Sequence, residues 1–242
     1  MTRSAADNIL AHLAIVASQR GLRTGTPGLD AKVAALKAYQ QSRFAHTHGD
    51  LLHSARHGPA SRFFLEELYG PADFSRRDGQ FARVVPALVR LFPAEIVSTV
   101  ATLSELHALS ETLDTAMAIN LHDVQLDASE YIRGWQATGR AHDREAQVLL
   151  TIDVAKRLDR VTQRALIRNS LRLMRGPARA AGLGELQVFL EKGFDTFRAM
   201  GGAADFIANI EAKERSLCAL LFGADLLHPE TATTRQALAA VP

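Results

Sequence analysis

The chain has 242 residues, 47% of them hydrophobic and 22% charged, with a net charge of +2, which is the composition of a globular protein with a sizeable core and not of a disordered one. Its one cysteine, Cys218, excludes an internal disulfide and a cysteine-built zinc knuckle. No apolar run reaches the roughly 18 residues of a membrane span. Asp7, Asn8 and His12 interrupt the start, so it does not read as a signal peptide and a cytoplasmic location is expected.

Helical periodicity recurs along the chain and alternating strand patterns are missing. The expected fold is all-α, a single-domain bundle of about nine helices spanning 1–242, with its core in 5–224. The spacing predicts helices near 5–20, 29–57 and 60–69, divided by Gly21, by Gly25-Thr26-Pro27-Gly28 and by Gly58-Pro59. On the second of these, His46, Asp50, His53 and His57 fall on one stripe, and the four-residue spacing of His53 and His57 suits zinc chelation. Phe44, Leu51, Leu52 and Ala55 occupy the opposite face, so the histidines read as a solvated face and only as weak metal candidates. Gly70-Pro71 ends the third helix, and Phe63, Phe64, Tyr69, Phe74 and Phe81 gather around that corner as an aromatic core, with an aromatic ligand pocket as the alternative.

The stretch from Arg62 to Asp78, Arg-Phe-Phe-Leu-Glu-Glu-Leu-Tyr-Gly-Pro-Ala-Asp-Phe-Ser-Arg-Arg-Asp, resembles the hallmark of an uncharacterised proteobacterial family of all-helical proteins. The segment Leu106-His107-Ala108-Leu109-Ser110-Glu111 is similar to that family too. The resemblance implies a helical fold and a bacterial origin, and brings no activity, cofactor or catalytic residue with it.

Helices follow near 76–92, with Pro86 inside, and 94–122, opened by Pro93. Ile96, Val100, Leu103, Leu106, Leu113 and Met117 form the apolar arc of the longer one, and His107, Ser110 and Asp114 fall on or beside it with Glu111 adjacent. His107 and Glu111, and likewise Ser110 and Asp114, are one turn apart, so each pair can touch on one face. A core network that holds helix register is the adopted reading of this group. The alternative is an enzyme or a metal or cofactor binder in which Glu214, from the apolar face of a helix near 203–222, joins His107, Glu111 and Asp114. Pairing of Glu214 with an arginine of the basic helix is the plainer expectation.

Asp127 caps a helix near 128–138, and a long helix is expected over 142–175. At 100° per residue Arg157, Arg160, Arg164, Arg168, Arg172 and Arg175 form one basic stripe on it, flanked by Ile167, Leu171 and Met174. Acidic residues of the chain itself are its expected partners, because the net charge is small; an external anionic or acidic partner is the functional alternative. Nucleic acid is disfavoured, since no aromatic residues interleave with the arginines. Helices near 184–200 and 203–222 precede a tail, 228–242, expected to be flexible.

No Gly-x-Ser-x-Gly elbow and no glycine-rich nucleotide loop occurs. No cofactor is expected. The sequence alone thus reads as a protein of unknown function, taken as a non-enzymatic helical binding or regulatory protein, self-associating, with the arginines as its contact surface.

Overall fold

The computed structural model describes residues 4–68 and 74–242, and Tyr69 of the expected aromatic corner lies outside them. Among the described residues every regular element is helical, as the periodicity implies. Ser4 opens α1 (Ala5–Gly25) with a reciprocal cap: its hydroxyl accepts from the Asp7 N–H while the Asp7 carboxylate accepts from the Ser4 N–H. Then come α2 (Leu29–Thr47), α3 (Gly49–His53), α4 (Gly58–Phe63) and a single π-turn (Phe64–Leu68). After α5 (Ser75–Leu91) runs the longest element, α6 (Ala94–Asn120), whose 27 residues make a strut about 40 Å long. Asp127 caps α7 (Ala128–Thr138) by accepting from the Glu130 N–H at 2.8 Å, and Gly139, at φ 63°, ends it in the left-handed region. The remainder is α8 (Ala141–Thr162), α9 (Ala165–Leu173), α10 (Arg175–Ala180), α11 (Gly184–Ala199), α12 (Ala204–Gly223) and α13 (Ala232–Ala239).

Thirteen α-helices among the described residues replace the expected nine, because two long helices break, into two and three pieces, and the expected tail carries one more. The one expected over 29–57 departs from helical geometry at His48 and turns extended at Ser54, with φ −69° and ψ 129°. His53 and His57 therefore stand on opposite sides of a break and lose the one-turn spacing that would make them a chelating pair. The helix expected over 142–175 is interrupted at Arg164, which is extended at φ −90° and ψ 109°, and again at Met174. The arginines from 157 to 175 thus lie on three short axes, not on one continuous face. The C-terminus differs as well. Residues 228–242, expected to fray, carry α13, and Ala237 and Val241 are buried beside Leu217 and Leu221.

Two apolar clusters fill the interior. The first joins α2, α6, α7, α12 and α13 around Tyr131, Leu121 and Trp135. The second joins α3, α4, α8, α11 and α12 around Phe63, Phe197, Phe206 and Ile210. Leu217 and Leu221 of α12 belong to the first cluster and its Phe206, Ile207 and Ile210 to the second, so the two meet along α12, against which α8 packs. No helix of the described residues is long and apolar enough to cross a membrane.

Candidate functional site

A cavity of about 250 Å³ adjoins the second cluster and reaches Trp135 of the first, walled mostly by apolar side chains such as Ile152, Phe197, Phe206 and Ile210. Its polar lining comes from α2 (Lys37, Gln40, Arg43), α5 (Arg77, Asp78), α6 (Ser104, His107, Ser110, Glu111, Asp114), α8 (Arg144, Gln147, Thr151) and α12 (Glu214). The four residues of the alternative site, His107, Glu111, Asp114 and Glu214, all line this one cavity, yet each is held by different partners.

Glu111 is clamped between Arg23, whose NH1 donates at 2.5 Å, and Lys37, whose Nζ donates at 2.5 Å. Arg23 also donates to the Glu111 carbonyl at 2.7 Å and to the Thr115 hydroxyl at 2.9 Å, which pins α1 to α6. Burial works to raise the Glu111 carboxyl, but the two cations hold it below the usual carboxylate range. Asp114, one turn on, accepts from Gln40 Nε2 at 3.2 Å and has Lys37 Nζ only at 4.0 Å. Burial prevails there and its carboxyl is pushed up.

Glu214 accepts from Arg43 NH1 at 2.5 Å and meets His48 Nε2 at 2.8 Å. The break of the second helix at His48 is what turns this fully buried ring toward α12. Burial would raise the Glu214 carboxyl, but Arg43 and His48 bring it down to about 2. The arginine that pairs with Glu214 therefore comes from α2 and not from the basic helix.

His107 does not join the others. Its Nε2 meets Asp78 Oδ2 at 3.0 Å, and the same oxygen accepts from Arg20 NH2 at 2.6 Å. Ser110 accepts from Gln147 Nε2 at 2.8 Å. In place of contacts between His107 and Glu111 or Ser110 and Asp114, which one-turn spacing allows, these side chains take cross-helix partners. Among the described residues no group of three or more His, Cys, Asp or Glu is placed to hold a metal ion. Cys218 also lines the cavity, where burial pushes its thiol up to about 11, well away from a reactive thiolate.

Two buried polar atoms on the cavity have no partner: the Gln40 carbonyl oxygen, on a side chain 1% exposed, and the Trp135 indole nitrogen, on one 6% exposed. Arg144, 3% exposed, stacks over the Trp135 ring at 4.0 Å. The sequence reading passed over Lys37, Gln40, Arg43, Trp135 and Arg144. Arg144 did carry a signal, because it precedes Val148 and Ile152 at four-residue steps and so shares their apolar face.

The arginines of the basic series are mostly engaged within the chain. Arg157 pairs with Asp153 at 2.8 Å, Arg164 with Glu95 at 2.6 Å, Arg168 with Asp195 at 2.7 Å, and Arg175 with Glu191. Glu95 on α6, and Asp195 and Glu191 on α11, hold α9 and its neighbours against the body.

A family model described as a domain of unknown function, DUF8198, matches residues 19–226. The chain belongs to the DUF8198 family. The match runs from the end of α1 through the whole of α12, so it takes in every residue that lines the cavity except Leu13. No curated protein and no solved structure matches the chain.

Proposed function

We propose that this chain is a binding protein that takes a small organic molecule into the cavity between α2, α6, α8, α11 and α12. The observation that carries the reading is the pair of unpartnered buried atoms, Gln40 Oε1 and Trp135 Nε1, on a mostly apolar cavity of about 250 Å³. Buried polar groups in folded proteins are nearly always satisfied, so two orphans on residues that line one space support an occupant that supplies their partners. The size agrees, since an apolar cavity of about 150 Å³ already accommodates benzene. An empty space of this volume also forfeits packing, and such spaces are few in native interiors.

The arginines from 157 to 175 support a partner surface less well, because Arg157, Arg164, Arg168 and Arg175 each have an acidic partner in the chain. An enzyme built on His107, Glu111, Asp114 and Glu214 draws no support from their separate pairings.

Native mass spectrometry of the purified protein, coupled to a melting-temperature screen of small apolar and amphipathic compounds, tests the reading. We expect either a bound mass released on denaturation or a dose-dependent rise in Tm, and we expect Ala155→Phe, which fills the cavity, to remove it. A wild-type protein with neither response would contradict it.

A further inference from the structure

Three arginines are buried to nearly the same degree: Arg23 at 4%, Arg43 at 5% and Arg144 at 3% exposure. Arg23 and Arg43 each have a carboxylate oxygen at 2.5 Å. Arg144 has none within ion-pairing distance among the described residues. Its hydrogen bonds go to Gln147 Oε1 at 3.1 Å and to the Met117 sulfur at 3.6 Å, and its plane rests on the Trp135 ring. Asp114 feels its charge but is engaged by Gln40 and faces Lys37. A guanidinium does not give up its proton in proteins, so this corner of the cavity keeps a fixed positive charge. Burying a cation without an anion is costly, and the cost is tolerated where a ligand repays it.

The neighbouring Trp135 indole is a donor only, and it too lacks an acceptor. Two donors in contact, one of them charged, ask for one anionic acceptor. The single uncompensated charge matches a carboxylate better than a doubly charged phosphate. The remaining walls, Ile152, Phe197, Phe206 and Ile210 among them, ask for hydrocarbon. Scaling from the six carbons of benzene in about 150 Å³, a cavity of about 250 Å³ takes roughly ten. We propose that the ligand is a monocarboxylic acid with an apolar body of that size, its carboxylate held by Arg144 and Trp135. This rests on the cavity-binding reading given above.

Trp135 is the sole tryptophan of the chain, so its emission reports on the site directly. The experiment titrates the full chain with decanoate and with decan-1-ol, which share a chain length and differ in charge. Decanoate should saturate the emission change at a concentration at least about tenfold lower than decan-1-ol. In Arg144→Met, with the fold checked by circular dichroism, decanoate should weaken to the level of decan-1-ol while decan-1-ol is unchanged. Equal affinity of the two probes for wild type, or full decanoate affinity in Arg144→Met, would remove the acid inference and leave the cavity reading standing. No saturable response to either probe would remove both. The wild-type comparison decides the matter even if the variant does not fold.

Discussion

At the scale of single residues, the interior polar groups divide into those that hold helices together and those that do not. Arg23, Lys37 and Glu111 tie α1 and α2 to α6, and Arg43, His48 and Glu214 tie α2 to α12. Glu214 belongs to the first kind, and its titration gives a signed prediction. Its folded value of about 2 lies below the ordinary glutamate value near 4.5. The stability it contributes is therefore fully present above about 4.5 and is lost as pH falls from there toward 2. Asp114, raised by burial, acts in the opposite sense, returning stability as acid neutralises it. Glu214→Gln should cost about 3 kcal/mol at neutral pH, by leaving Arg43 and His48 without their carboxylate. It should also flatten the loss of stability between pH 4.5 and 2, read by chemical denaturation at a series of pH values. Wild type and variant with equal acid slopes would show that Glu214 is not the group whose pairing matters. Arg144 belongs to the second kind. Arg144→Met should leave the ligand-free protein as stable or raise its melting temperature, since a lone buried charge is exchanged for a side chain of similar length. A clear fall in Tm would mean that Arg144 is part of the scaffold.

At the scale of elements, what periodicity reveals and what it hides can both be seen in α2 and its continuation. The apolar spacing of Leu29, Val33, Leu36 and Phe44 identifies the helix correctly. The same spacing runs on through Leu51, and Gly49, a weak helix former, is the local mark of the break at His48. That break is fixed by tertiary contact, the buried imidazole meeting Glu214, which stands 166 residues away in sequence. The long helix expected over 142–175 misleads in the same way. Arg164 leaves the helix to reach Glu95 on α6, a partner that periodicity cannot foresee. By contrast, Pro59 is legible as a first-turn residue, although Gly58-Pro59 opens α4 and does not end the helix before it, which stops at His53. A methyl group at Gly58 would come within 2.7 Å of the Leu52 carbonyl oxygen, so the α3–α4 corner closes only around glycine. Gly58→Ala should destabilise the protein by about 1–3 kcal/mol, measured by urea unfolding. Unchanged stability would show that the corner opens without strain.

At the scale of the whole molecule, the two apolar clusters meet along α12, and a cavity lies beside the second. The all-helical class was legible because helical spacing is a local property. The residues His107, Glu111, Asp114 and Glu214 were also legible as polar breaks in apolar faces, and all four do line one space. Their grouping into a single reactive centre was not, because which cation reaches which carboxylate depends on α1, α2 and α5 packing against α6 and α12. The cavity itself leaves no local mark, since a hollow core and a filled one are written with the same apolar residues. The central claim is that this space takes up a ligand, and Ala155, which lines it, offers the most direct test. Trp135 emission should be titrated with the ten-carbon acid and the ten-carbon alcohol in wild type and in Ala155→Phe. The account predicts saturable, equimolar binding of at least one probe by wild type, weakened about tenfold or more in the filled variant. Wild type without a saturable response, or a response equal in the two proteins, would contradict it.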